Sequence, residues 1–154
     1  MYSWLVTLHL LGLAVFLLAH GVSIWAAFRI RGEASRDVVR AMLEVSQQAT
    51  GIAYIGLVAL GIGGLGAAWS AGLLTATWIV ASYVVVVVVL GAMYSIASPY
   101  YQGLRQALAG TADSPGADDV TLAGRLQTRR PEALAAFGGL GLVALILLMT
   151  LKPG

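Results

Sequence analysis

This sequence predicts an all-α membrane protein, a four-transmembrane-helix up-down bundle, and three observations carry that prediction. Of its 154 residues, 59% are hydrophobic and only 10% are charged, where soluble chains average about 25% charged. Four apolar runs reach the roughly 20 residues needed to cross a hydrocarbon core. The arginines gather in two of the three joins between those runs, and the remaining join has no positive charge. Such a length accommodates one transmembrane domain, 1–154, and no separate soluble module.

The first run, about 3–28, contains no charged side chain. Met1-Tyr2-Ser3-Trp4 lacks the basic start of a secretory signal, and the apolar stretch is too long for one, so it is expected to remain as span one. A loop over 29–48 follows, with an amphipathic helical approach through Gln48; its Asp37/Arg40 and Arg40/Glu44 spacings suit solvated surface pairs of little energetic weight. Span two covers about 50–69. Ser70-Ala71-Gly72-Leu73-Leu74 leaves room only for a tight helical hairpin before span three, about 75–98. The loop 99–130 includes the low-complexity stretch 110–119, which has the composition of a mobile loop. Span four runs over about 131–151, with Pro131 at its start.

Charge sets the orientation. Arg29, Arg31, Arg36, Arg40, Arg105, Arg125, Arg129 and Arg130 all fall in the two long loops, and only Lys152 lies at the opposite end. The positive-inside rule makes those loops cytoplasmic and both termini external, N-out and C-out, in a bacterial cytoplasmic (inner) membrane. Tyr2, Trp4, Trp69 and Trp78 then mark the outer interface, and Trp25, Tyr100 and Tyr101 the inner one. Arg125, Arg129 and Arg130 form a juxtamembrane patch suited to anionic lipid headgroups. Small residues four apart, Gly63/Ala67, Gly64/Ala68 and Ala135/Gly139, are expected to let helices approach closely.

Composition excludes much chemistry. With no cysteine there is no disulfide, thiolate catalysis, iron–sulfur cluster or covalent c-type haem. A net charge of +2 does not point to nucleic acid. Phosphate-cradling, zinc-protease, serine-nucleophile and dinucleotide motifs are missing, and no acidic residue lies deep in a span.

What remains is a short polar inventory. His9 and His20 are eleven residues apart in span one, close to three helical turns, so they share a face at a separation of roughly 16 Å. Tyr83 and Tyr94 are also eleven apart, in span three, which runs in the same direction. Their depths match those of the histidines to within a few ångströms, and spans one and three are diagonal in an up-down bundle. Two polar tiers follow, one per leaflet. One reading makes each histidine a neutral group hydrogen-bonded to tyrosine or serine across the bundle. The other makes each a ligand of haem b iron, with Gly12 near His9, and Gly21 and Ser23 beside His20, admitting a flat ring.

The stretch His9-Leu-Leu-Gly-Leu-Ala-Val-Phe16-Leu-Leu-Ala19-His20-Gly21, with its Arg29-Ile-Arg31 exit, resembles the first helix of a loose group of small bacterial membrane proteins. That group comprises uncharacterised small integral membrane proteins, copper-resistance D-like domains and the haem-b protoporphyrinogen oxidase. The resemblance implies a haem ligand at His9. The chain departs from the group's pattern in Phe16, in the added His20 and in having no histidine in other spans. Two bis-histidine haems need four histidines, so the missing ligands must come from a homodimer pairing like with like, from Tyr83, Tyr94 or Met93, or from a partner subunit.

The expected function is therefore an integral membrane haem-b-binding redox protein or an electron-transfer subunit of a membrane complex. His9 and His20 are its metal ligands, with Gly12, Phe16, Tyr83 and Tyr94 around the cofactor. The alternatives are a cofactor-free structural or assembly subunit, and a small transporter or copper-handling protein. Expected partners are the lipid bilayer and a second copy or a larger membrane complex.

Overall fold

The computed structural model describes residues 1–31, 33, 35–109, 124 and 126–153. Four helices account for nearly all of them: α1 (Tyr2–Arg29), α2 (Arg36–Ser70), α3 (Thr77–Ala109) and α4 (Arg130–Leu151). Each is long and apolar enough to cross a membrane. Connected in sequence as neighbours, they form an up-down bundle in which α1 packs along α2 and α3 along α4, while the two pairs touch at few points. The low-complexity stretch 110–119 and Arg125 lie outside the described residues.

The two pairs are closed by different contacts. Between α1 and α2 the backbones meet. A Cβ on Gly12 would sit 2.8 Å from the Gly56 carbonyl, one on Gly56 would sit 2.6 Å from the Phe16 amide, and one on Gly63 would sit 2.7 Å from the Leu5 carbonyl. Helices approach this closely in lipid because small residues maximise van der Waals contact where no hydrophobic driving force operates. Between α3 and α4 side chains intervene. Gly141 receives Val89, whose Cγ2 lies 2.5 Å from the Cβ position, and Gly138 receives the tip of Met93. Gly139 has nothing within 4 Å, so the expected Ala135/Gly139 contact is replaced by Gly138 and Gly141, the adjacent face of the same helix.

The turn between α2 and α3 closes as expected. Gly72 adopts a left-handed backbone, its amide donates to the Trp69 carbonyl, and the Leu73 amide donates to that of Ala68. This pair of bonds is the Schellman arrangement, which glycine alone adopts without cost.

Two departures share one cause. The approach helix and span two are a single helix, α2, and α3 continues beyond Pro99 to Ala109 instead of ending at Ser98. The extensions bury Tyr100, Leu104, Ala107 and Leu108 against Ile30, Val39, Leu43 and Leu126, a small core at the arginine-bearing end. Burial of these side chains offsets the backbone bond lost at proline. Tyr100, 3% exposed, is thus a core residue and not an interfacial one, and it meets Tyr101 edge-on. Trp4, Trp69 and Trp25 do face outward, as interface anchors should. At the same end Arg29 pairs with Glu33 and Arg31 with Glu132 (2.6 Å), rather than the Asp37/Arg40/Glu44 set.

Candidate functional site

Because the helix pairs stay apart, the bundle is hollow at two depths. An outer cavity of about 450 Å³ is lined by His9, Gly64, Trp78, Ser82, Tyr83 and Met149 among others. An inner one of about 510 Å³ is lined by Phe16, His20, Ser46, Met93, Tyr94 and Arg105 among others. Both fall within the roughly 300–1,000 Å³ typical of ligand pockets. Each tier holds one histidine from α1 and the α3 tyrosine at matching depth, Tyr83 in the outer and Tyr94 in the inner, the pairing that depth-matching along the two helices predicts.

The histidines are held differently. His9 Nδ1 lies 2.8 Å from the Leu60 carbonyl of α2. A carbonyl can only accept, so Nδ1 carries the proton, and in the neutral ring Nε2 keeps its lone pair. The ring reaches that carbonyl because position 64 is glycine: a Cβ there would meet Nδ1 at 2.8 Å and Cε1 at 3.0 Å. Nε2 is the ring nitrogen that this bond leaves unused, on a residue that lines the outer cavity.

His20 has no such anchor. Its ring stacks on Phe16 with centroids 5.3 Å apart and planes within 8°. Its Nε2 is buried without a hydrogen-bond partner, 3.8 Å from the Cβ position of Gly138, where the Met93 Sδ also arrives at 3.5 Å. The nitrogen is capped by α4 and the methionine tip.

The other expected residues divide. Phe16, Tyr83 and Tyr94 line the cavities. Gly12 lines neither: the space its missing side chain leaves is taken by the α2 backbone. Gly21 faces open space. Among the described residues neither tyrosine bonds to a histidine; the polar partner of His9 is a backbone carbonyl. Ser23 instead joins Ser46 of α2 (2.7 Å), and Ser46 reaches the Tyr101 hydroxyl at 3.5 Å. Ser46, Gln47, Tyr101 and Arg105 were not expected in a site, because a helix break at the membrane boundary would have left them in loops. The signal that could have found them is their spacing: Tyr94, Tyr101 and Arg105 recur at seven and four residues, the period of one helical face.

No cluster of three or more histidine, cysteine, aspartate or glutamate side chains occurs among the described residues, so neither tier is a conventional protein-only metal cage. Comparison with protein-family models, curated proteins and solved structures finds no match. Fold and cavities define the class: a multi-pass helical membrane protein with two intramembrane cavities, each bearing one histidine.

Proposed function

We propose that this chain is a haem-b-binding redox protein or electron-transfer subunit of the bacterial cytoplasmic membrane, its arginine-bearing end cytoplasmic, and that His9 is the axial ligand in the outer cavity. The observation that carries this reading is the Nδ1 bond to the Leu60 carbonyl, which fixes the tautomer and orients the ring. Metal-bound histidines nearly always make this bond with their second nitrogen, and it raises the basicity of the first.

The surroundings support a broad, mostly apolar group. Leu10, Leu13, Leu145 and Ile146 supply flat apolar walls. Beside this cavity the Lys152 ammonium lies 5.6 Å from the centre of the lining Trp78 ring, where it would favour an acidic substituent on a bound group. Haem supplies one-electron chemistry when bound. Tyr83 and Met149 line the same cavity from α3 and α4 and would be the side chains available to hold the group together with His9. Because all four helices of one chain wall this cavity, a second copy is not needed to complete it, and dimerisation becomes a matter of assembly within the membrane.

The absorption spectrum of protein purified from haem-replete cells tests the reading. A Soret band is expected, lost in His9→Ala and retained in His20→Ala. A colourless protein would overturn it and leave the cofactor-free assembly subunit as the better account.

A further inference from the structure

The inner cavity differs from the outer in having a polar end. Ser23, Ser46 and Tyr101 form a hydroxyl chain, and in the direction of its bonds Ser46 donates to the Tyr101 oxygen. Ser23 then donates to Ser46, and the Tyr101 hydrogen is left without an acceptor. One turn further on, an Arg105 guanidinium nitrogen donates to Gln47 Oε1 at 3.0 Å. Both residues line this end of the cavity, and the Gln47 amide hydrogens and the remaining arginine N–H groups add to its donors. Among the described residues no carboxylate pairs with Arg105. The result is a cluster rich in hydrogen-bond donors, with one positive charge at Arg105.

Beyond this cluster the lining of the cavity is mostly apolar, with His20, Thr50, Tyr54 and Tyr94 among its residues. It extends along α2 from Gln47 to Leu57, ten residues or about 15 Å of helix. That is half of a hydrocarbon core of about 30 Å, the depth of one leaflet. On the side between α2 and α3, Tyr54 and Tyr94 are well exposed and Gly51 has nothing within 4 Å of its Cβ position, so the slot opens laterally where the helices diverge.

We propose that the inner cavity binds one phospholipid with a net anionic headgroup, its phosphate at Tyr101, Arg105 and Gln47 and one acyl chain in the slot past His20. A donor-rich head site whose guanidinium has no carboxylate beside it favours an anion, and the slot length suits a leaflet-long chain. The site is independent of haem at His9, so either can fail alone.

Native mass spectrometry of the full chain, released from mild detergent after incubation with equal dioleoyl phosphatidylglycerol and dioleoyl phosphatidylcholine, tests it. One retained lipid is expected, with a preference for phosphatidylglycerol of about fivefold, the effect of one basic residue near a headgroup. Arg105→Gln should abolish the preference. Gly51→Leu, which places a side chain in the slot, should abolish retention altogether with Arg105 intact. Arg40→Gln, an exposed arginine outside the juxtamembrane patch that lines neither cavity, should change neither. Equal retention of both lipids by the wild type overturns the proposal, as does an equal response to Arg105→Gln and Arg40→Gln. Retention of inorganic phosphate with no lipid adduct would reduce the site to a surface anion contact and overturn it too.

Discussion

The outer and inner tiers share a plan, one histidine on α1 with an α3 tyrosine at matching depth, yet they are different sites. In the outer tier the histidine is tied to the α2 backbone, and the cavity around it is almost wholly apolar. In the inner tier the histidine is stacked on Phe16, its buried Nε2 has no hydrogen-bond partner, and the polarity has moved to hydroxyls and an arginine nearer the aqueous end. The difference originates on α2. Opposite His9 stands Gly64, which exposes a backbone acceptor. Near His20, α2 offers Ser46, which pairs with Ser23 instead. Two histidines on one stripe of one helix therefore acquire separate roles from the residues that face them.

The largest expected effect tests the seam that makes the outer tier possible. Gly12→Leu or Gly63→Leu would drive a side chain into the α2 or α1 backbone, which cannot yield as a flexible side chain can. Overpacking of this kind costs about 1–3 kcal/mol or more. We expect loss of folded protein, measured as yield of monodisperse material and as unfolding free energy in micelles. Gly139→Leu and Gly61→Leu, open positions on the same helices as other packing glycines, should be tolerated. If all four behave alike, α1 and α2 do not meet through their backbones.

Next comes the pin itself. Gly64→Ala places a methyl carbon against Nδ1 and Cε1 and swings the ring off the Leu60 carbonyl. Loss of such an outer-shell bond typically lowers metal affinity about 10–100-fold. A haem titration of the purified apo-protein should show that drop, with the helical content unchanged by circular dichroism. An unchanged affinity would separate haem from His9 and break the contrast between the tiers.

A smaller and opposite effect is expected in the inner tier. His20→Phe keeps the stack on Phe16 and removes a buried nitrogen that has no partner. Replacing an unsatisfied polar group by an apolar one of similar shape is neutral or stabilising, by about 1 kcal/mol. The same change at His9 should destabilise, since it strips a made bond. Unfolding free energies of the two variants, compared in one detergent, read the difference directly.

Much of this was legible in the sequence because it depends on length and period. Four spans, the glycine turn at Gly72, the two tiers and their matched depths all follow from counting residues along helices of fixed rise. What the chain did not disclose depends on which faces meet. Gly12 reads equally well as room for a ring or as room for a helix, and the α2 backbone takes it. Pro99 reads as a helix end, yet tertiary burial of Tyr100 and Leu104 carries α3 past it, bringing Tyr101 and Arg105 into the inner cavity. Leu60 contributes a carbonyl, which no side-chain pattern can announce.

The smallest effect concerns the bond that gives the inner tier its polar end. Ser46→Ala removes the middle hydroxyl, leaving Ser23, 8% exposed, facing a methyl group and Tyr101 without its donor. Bonds between side chains in membranes average about 0.6 kcal/mol, so a destabilisation of about that size is expected in micelles. Ser23→Ala/Ser46→Ala together should cost no more than Ser46→Ala alone, because the double change leaves no orphaned hydroxyl between α1 and α2. If the two losses add instead, the serines act separately, and the hydroxyl chain that turns Tyr101 into a free donor is not formed.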